Sequence, residues 1–251
     1  PYLVEKLPTG VKDVDDLLNG GLPFGGLTIV AGKRGEGKST LSSEILINAI
    51  EKNYTCFAYS GELPNRAFRS IIDFQIAGPN HIVEATNIDG LKYNTVSKTN
   101  KQLIADWYRG KCLLYDNSCL DDEETVGLLE VVEIAILQYG ARVILLDNLM
   151  TAIDLVDTSN NDKNEKQSLF VKKLARMALR YNVLIILVAH KRKNHFSTDE
   201  NDEISGSGDI SNLASVIISY EKDKEIEQYQ RLTKITKNRL FGRLELKGFV
   251  L

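Results

Sequence analysis

Short runs of apolar residues alternate along this chain with longer segments in which apolar residues recur every three or four positions. The short runs predict buried β-strands, and the longer segments predict amphipathic helices. The predicted strands cover residues 27–31, 55–60, 112–115, 143–147 and 184–189. The predicted helices cover residues 11–18, 41–50, 64–77, 96–108, 121–139 and 166–181. Residues 78–94 are rich in turn-forming residues and give no clear pattern.

The order of these segments predicts an α/β fold. Strands that are apolar on both faces and separated by helices favour a mostly parallel sheet covered by helices on both sides. Three runs near the C-terminus, 216–220, 230–237 and 243–246, predict closing strands, and the last two can form an antiparallel hairpin. The sequence has no internal repeat, so we expect residues 1–251 to form a single domain, with residues 1–26 as a lead-in segment.

A glycine-rich turn after the first long predicted strand carries the main chemical signal. Residues 32–40 match the P-loop pattern G-x-x-x-x-G-K-[ST]. In such a turn, backbone N–H groups and the positive end of the following helix bind phosphate. Lys38 would contact the β- and γ-phosphates, and Ser39 would bind Mg²⁺. We therefore predict that ATP and Mg²⁺ bind at Gly32, Lys33, Arg34, Gly35, Glu36, Gly37, Lys38, Ser39 and Thr40.

Three polar residues, Glu62, Asp147 and His190, follow or end other predicted strands. Ligands of open α/β sheets bind outside the carboxyl ends of the strands, so we expect these residues to surround the P-loop. Asp147 has the position at which P-loop ATPases hold Mg²⁺, although Asp is also a common helix cap. Glu62 is a candidate general base, or alternatively a charge at a helix N-terminus. His190 can sense the γ-phosphate through a hydrogen bond, or have a structural role.

The composition favours a soluble protein with one large core. Of the 251 residues 43% are apolar and 26% are charged, and the net charge of −3 gives no general attraction to nucleic acid. Cys56, Cys112 and Cys119 are too few for a disulfide framework, and reduced thiols are typical of a cytoplasmic protein. We expect no structural metal, membrane span or signal peptide. Because the first residue is Pro, we expect a piece trimmed from a longer protein.

Several short motifs, taken in their order along the chain, are similar to those of one family. They are LPTG at 7–10, GGL at 20–22, SGELP at 60–64, LLDN at 145–148, VAH at 188–190, SGSG at 205–208 and KNR at 237–239. Together with the P-loop they resemble the RecA-like ATPase domain of DnaB-type replicative ring helicases, including the phage and mitochondrial primase-helicase relatives. The resemblance covers nearly the full chain and implies a RecA-like P-loop NTPase core.

This resemblance implies an ATP-hydrolysing DNA helicase motor that acts in replication. It implies a homo-oligomeric ring, expected to be a hexamer, on single-stranded DNA in a bacterial or phage-infected cell, with a primase and a helicase loader as partners. Its implied catalytic residues are Glu62, Lys38, His190, Lys237 and Arg239, of which the last two act in the neighbouring subunit's site. Its implied DNA contacts are Lys191, Arg192, Lys193, Gly206 and Gly208.

The residues themselves support this interpretation unevenly. Residues two apart on a strand face the same side, so Lys237 and Arg239 can address one phosphate; alternatively they are solvated charges on an edge strand. Ser205 stands where many members of the family have arginine, and the acidic residues of 199–203 make a poor surface for a phosphate backbone. Two other functions stay open: a RecA- or RadA-like recombinase, and a KaiC-like regulatory ATPase that does not bind DNA.

Overall fold

A computed structural model describes residues 4–116, 127–154, 163–191, 201, 204, 208–223, 225, 227, 230–240 and 243–251, and the structural statements below concern these residues. The strands are β1 (Lys6–Leu7), β2 (Leu22–Pro23), β3 (Leu27–Gly32), β4 (Thr55–Ser60), β5 (Ile82–Thr86), β6 (Lys92–Val96), β7 (Cys112–Leu114), β8 (Ala141–Asp147), β9 (Leu184–His190), β10 (Val216–Glu221), β11 (Leu232–Asn238) and β12 (Glu245–Val250). The α-helices are α1 (Lys12–Leu17), α2 (Lys38–Glu51), α3 (Asn65–Ala77), α4 (Lys98–Tyr108), α5 (Leu128–Tyr139), α6 (Leu149–Asp154), α7 (Lys163–Tyr181) and α8 (Gly208–Leu213), and a 3₁₀ turn covers Pro79–His81.

Eight of these strands form one sheet, in the order β12-β11-β10-β3-β9-β8-β4-β7. All neighbours from β10 to β7 are parallel, whereas β11 and β12 run antiparallel. This confirms the predicted RecA-like α/β fold with antiparallel closing strands. We call the end of the sheet at which β3, β4, β8 and β9 finish, at Gly32, Ser60, Asp147 and His190, the carboxyl end. The end at which they begin, at Leu27, Thr55, Ala141 and Leu184, is the amino end.

Helices cover both faces of the sheet, because the side chains of each central strand alternate between two apolar cores. In β3 and β9, Val30 and Val188 point to the core that contains α2 and α3. Ala31 and Ala189 point to the opposite core, which contains α5, α7 and α8. Successive residues of each strand therefore point to opposite faces of the sheet. The same alternation decides which way the residues at the carboxyl end point. None of the described helices is long and apolar enough to cross a membrane.

The segment that gave no pattern in the sequence contains an antiparallel hairpin. Strands β5 and β6 pair from Ile82 with Val96 to Thr86 with Lys92. The next helix begins two residues later than predicted, because the Ser97 hydroxyl accepts a hydrogen bond from Asn100 N (3.3 Å) and caps it. The predicted start of α5 at residues 121–126 lies outside the described residues, and α5 begins at Leu128.

The lead-in segment packs against the core that contains α2 and α3 rather than forming a separate unit. Its strands β1 and β2 pair with each other, and Leu7 and Leu22 are fully buried. Gly21 has φ 122°, and a Cβ at this position would lie 2.1 Å from the Leu7 carbonyl oxygen. Only glycine fits such a close approach, which accounts for the predicted turn before the P-loop strand.

Candidate active site

The P-loop has the geometry of an anion-binding turn. Strand β3 ends at Gly32, and α2 begins at Lys38. Gly35 and Gly37 have φ values of 73° and 89°, which favour glycine. A Cβ at Gly32 would lie 2.2 Å from the Tyr220 carbonyl oxygen, so the start of the loop is pressed against β10. The free N–H groups at the start of α2 are thereby presented at the carboxyl end of the sheet.

Glu62, Asp147 and His190 lie together at the P-loop, as the sequence predicted. They line one cavity of about 350 Å³. This convergence follows from topology, because β3, β9, β8 and β4 are parallel neighbours and finish at the same end of the sheet. The cavity is lined by Arg34, Gly35, Glu36, Gly37, Lys38, Ser39, Glu62, Asp147 and His190.

Ser39 and Asp147 supply oxygen ligands suited to Mg²⁺. Asp147 is buried, and burial raises the pKa of its carboxyl group, whereas a hydrogen bond with the Ser39 side chain lowers it. The two oxygen-bearing side chains are thus in direct contact beside the P-loop, and hard oxygen donors are what Mg²⁺ requires. Lys38 is also buried; its Nζ donates to the Lys33 carbonyl oxygen (2.5 Å), and burial lowers its pKa against the opposing effect of Asp147.

Asn148 joins the candidate base to the candidate sensor. Its Nδ2 donates to Glu62 Oε1 (2.7 Å) and lies 3.2 Å from His190 Nε2. The latter nitrogen lies 3.4 Å from Glu62 Oε1, so three side chains from three strand ends meet. Burial lowers the pKa of His190, as does the nearby Lys38, and the neutral imidazole is favoured at pH 7. Glu62 is 52% exposed, which leaves its carboxylate open to water.

Asn148 was missed as a site residue in the sequence. The only available signal was its place directly after Asp147, because its role depends on contacts with two distant strands. The position of Glu62 also depends on contacts between segments that are far apart in the sequence. The Gly61 N–H donates to the Asp147 carbonyl oxygen (2.7 Å), and a Cβ on Gly61 would lie 2.0 Å from Thr151 Oγ1. Glu62 is therefore held by a glycine that fits closely against the residues after β8.

Residues at the end of β10, directly after it and directly before β11 support the P-loop from the other side, and these were also missed. Arg231 Nε donates to the Glu36 carbonyl oxygen (2.7 Å), and Lys222 N donates to Glu36 Oε2 (2.7 Å). The Tyr220 ring would lie 3.4 Å from a Cβ on Gly37. No sequence motif marks these contacts, since Glu36 and Arg231 are 195 positions apart.

Lys237 and Arg239 lie together, but away from the P-loop of their own chain. Lys237 Nζ donates to the carbonyl oxygens of Ser211 (2.6 Å) and Asn212 (3.0 Å). Arg239 also donates to the Asn212 carbonyl oxygen. Lys237 pairs with Ile217, which pairs with Ile29, three positions before Gly32. Because β11 runs antiparallel, its final residues approach the amino end of the sheet. Burial lowers the pKa of Lys237, as does the adjacent Arg239.

The predicted DNA contacts are only partly described, and Lys191 requires a correction. Its side chain is 2% exposed, and Nζ donates to Ser219 Oγ (2.8 Å) and to Glu221 Oε1 (2.5 Å). Its charge is neutralised inside the protein and is not presented to a phosphate backbone. Gly208 begins α8, whereas Arg192, Lys193 and Gly206 lie outside the described residues.

Comparison with known proteins decides the family. The family model described as "ATPase: KaiC" matches residues 7–243, nearly the whole chain. The chain belongs to the KaiC family of ATPases. The circadian clock oscillator protein KaiC of Prochlorococcus marinus (strain MIT 9313) is 24% identical over 252 residues, which cover 98% of this chain and 43% of that protein. The KaiC of Thermostichus vulcanus is 25% identical over 252 residues, 98% of this chain and 42% of that protein.

A solved structure agrees with the KaiC-like fold. The crystal structure of a KaiC-like protein from the hyperthermophilic archaeon Pyrococcus horikoshii OT3 has a TM-score of 0.63 to this chain and 18% sequence identity. The match covers 94% of this chain and 90% of that one. The chain spans less than half the length of the curated KaiC relatives described above.

The resemblance to DnaB-type helicases is therefore wrong. The family match over residues 7–243 is to KaiC, and the same match overturns the predicted helicase function in DNA replication. No finding supports single-stranded DNA, a primase or a helicase loader as partners. The misleading motifs are the P-loop and the polar strand ends, and these belong to the RecA-like core rather than to helicases alone. The fold was predicted correctly and the function was not, because proteins with the same core can have different activities. Of the two open alternatives, the KaiC-like ATPase fits.

Proposed function

We propose that this domain is a KaiC-like regulatory ATPase that binds ATP with Mg²⁺ and hydrolyses it, so that its nucleotide state can act as a signal. The convergence of the P-loop, Glu62, Asp147 and His190 around one cavity carries this proposal. Phosphate binding alone needs only the loop and Lys38. Hydrolysis requires, in addition, a carboxylate that is open to water and faces the phosphate site, and Glu62 is the candidate.

The chain's own residues have distinct parts in this reaction. Lys38 neutralises charge on the β- and γ-phosphates, and Glu62 accepts the proton of the attacking water or orients it. Asn148 holds the Glu62 carboxylate through its 2.7 Å hydrogen bond, so that the carboxylate does not have to reorganise. Neutral His190 would hydrogen-bond the γ-phosphate or its departing product. Mg²⁺, held by Ser39 and Asp147, would neutralise phosphate charge.

The catalytic cations are proposed to come from a second copy of the chain. Lys237 and Arg239 lie towards the amino end of the sheet and cannot complete the cavity in their own subunit. A contact between this surface of one subunit and the carboxyl end of the next is heterologous, and such contacts close into rings when the rotation permits. The proposed assembly is a homo-oligomeric ring in which each site is shared by two subunits.

The exchange of Glu62 for Gln tests the hydrolytic function directly. The amide keeps the shape and the hydrogen-bonding capacity of the side chain but cannot take a proton. We expect ATP turnover to fall by about 100-fold or more while nucleotide affinity changes little. Turnover is measured as phosphate release, and affinity is measured by titration with a fluorescent ATP analogue.

Glu51→Gln at the far end of α2 is the matched control, because it removes an exposed carboxylate away from the cavity. Turnover in Glu62→Gln that equals the wild-type and control values would exclude Glu62 as the base. If the wild-type chain binds the analogue but releases no phosphate in any assembly state, the proposed ATPase function is wrong.

A further inference from the structure

A largely buried polar cluster lies directly beside the proposed site but has no part in the mechanism above. It consists of Lys191 from the end of β9 and of Ser219 and Glu221 from the end of β10. Lys191 Nζ donates to Ser219 Oγ (2.8 Å) and Glu221 Oε1 (2.5 Å), and Ser219 Oγ donates to Glu221 Oε1 (3.1 Å). We call these three residues the Lys191 cluster. Lys191 is buried and Glu221 is 21% exposed, and a largely buried charge is costly to desolvate, so the presence of this pair here calls for an explanation.

The cluster spans the strand that carries the P-loop. In the sheet order β10-β3-β9, Ser219 pairs with Ala31, and Ala31 pairs with Ala189. Lys191 and Ser219 therefore sit on strands that are separated by β3, about 10 Å apart at two strand spacings. The small side chain of Ala31 leaves room for the Lys191 side chain to pass over β3. The ion pair thus ties the two neighbours of β3 together where β3 becomes the P-loop.

Alternation along β9 places Lys191 and His190 on opposite faces. Lys191 follows the parity of Ala189, which points to the core with α7 and α8. His190 follows Val188, which points towards α2 and the P-loop. Lys191 therefore does not enter the cavity, but its backbone is joined directly to that of His190. The Lys191 N–H also donates to the Gly32 carbonyl oxygen (3.1 Å), which fixes the strand end to the first residue of the P-loop.

The other end of the cluster reaches the P-loop through Glu36. Glu221 is followed by Lys222, whose backbone N–H donates to Glu36 Oε2 (2.7 Å). A continuous set of contacts runs from His190 through the Lys191–Glu221 pair to Glu36, in the middle of the P-loop. Both the sensor side chain and the phosphate-binding turn are therefore attached to the same ion pair.

We propose that Lys191 and Glu221 are positioning residues that hold His190 and the P-loop in the register needed for hydrolysis. This role rests on the proposed ATPase function and assigns no contact with nucleotide to either residue. Its signature is a loss of kcat with little change in nucleotide affinity. The alternative is that the pair only stabilises the sheet, and then the melting temperature should fall without a specific loss of kcat.

The test compares Lys191→Met/Glu221→Gln with Lys191→Arg. The double variant removes both charges, so that no single buried charge remains to prevent folding, which is the risk in Lys191→Met alone. In the double variant we expect kcat for ATP to fall about 10- to 100-fold, because small displacements of catalytic groups have effects of this size. We expect the dissociation constant of a fluorescent ATP analogue to stay within about threefold. Lys191→Arg, which keeps the pair, should recover most of the lost kcat.

The matched control is Arg142→Met/Glu5→Gln, which removes an ion pair (2.8 Å) between residues far apart in the sequence, at the amino end of the sheet. It should lower the melting temperature with kcat unchanged. Wild-type kcat in the folded Lys191→Met/Glu221→Gln variant would overturn the positioning role, and so would an equal loss of kcat in the control at equal melting temperature. If the wild-type chain itself shows no hydrolysis, the proposed function fails first, and the positioning role fails with it.

Discussion

The two ends of the sheet differ in what their polar residues do. At the carboxyl end, Glu62, Asp147, His190 and the P-loop face one cavity. Burial there raises the pKa of Asp147 and lowers the pKa of His190. Towards the amino end, Lys237 and Arg239 bind the last carbonyl groups of α8. The carboxyl end gathers the candidate phosphate-binding groups, whereas these two cations lie away from that cavity among the described residues. This difference supports the proposal that two copies of the chain together make a complete site.

The largest effect should come from removing the P-loop lysine. In Lys38→Ala we expect nucleotide binding, and with it turnover, to be lost, because Lys38 is the only lysine among the described residues that line the cavity. Titration with a fluorescent ATP analogue measures the loss. Lys52→Ala, at the C-terminal end of the same helix, removes an exposed charge and should behave as wild type. Wild-type affinity in Lys38→Ala would show that the carboxyl end of the sheet is not the phosphate-binding site.

The next effect separates the two ends. Arg239→Ala should leave nucleotide affinity within about threefold, because Arg239 does not belong to the cavity of its own subunit, while turnover falls about 1,000-fold, as for other arginines supplied in trans. Mixing Arg239→Ala with Lys38→Ala subunits should restore part of the turnover, since each variant supplies what the other lacks. Arg109→Ala, an exposed arginine paired with Asp106, serves as the control. An absence of recovery in the mixture would show that each subunit holds a complete site.

The sequence predicted the parts of the site that depend on local pattern and on one topological rule. The P-loop is contiguous, and parallel strands had to bring Glu62, Asp147 and His190 to the same end. Asn148 and Arg231 could not be assigned, because their roles arise from contacts between segments that are far apart in sequence. Lys191 was misread for a related reason. A run of basic residues normally indicates a solvated surface, and only the tertiary structure shows that Glu221 neutralises its first member.

The family was misassigned because the motifs used were those of the shared core. A P-loop followed by polar residues at the ends of later strands is compatible with any ATPase of the RecA-like core, so this order cannot separate one branch from another. The hairpin of β5 and β6 illustrates another gap. Its strands are largely polar or exposed, with Glu84, Lys92 and Asn94 among them, so apolar periodicity could not reveal it.

The smallest expected effect lies at the amino end, at the pair of Arg142 and Glu5. Arg142 Nη2 donates to Glu5 Oε2 (2.8 Å), and its guanidinium lies 4.6 Å from the centre of the Phe24 ring. The two side chains are 33% and 43% exposed, so solvent screens the pair. We expect Arg142→Ala to lower the free energy of unfolding by about 1 kcal/mol at pH 7, as measured by urea denaturation, with kcat unchanged.

The pH dependence of this effect distinguishes the ion pair from simple packing. The hydrogen bond from Arg142 lowers the pKa of Glu5 below its ordinary value of 4.5. A carboxyl group with a lowered pKa in the folded state stabilises the protein above its unfolded-state pKa, and this contribution is lost as the pH falls through the folded-state pKa. The stability difference between wild type and Arg142→Ala should therefore shrink on acidification below that value. A stability difference that is independent of pH would assign the effect to packing on Phe24. A fall in kcat in this variant would show that residues at the amino end of the sheet also affect turnover within their own subunit.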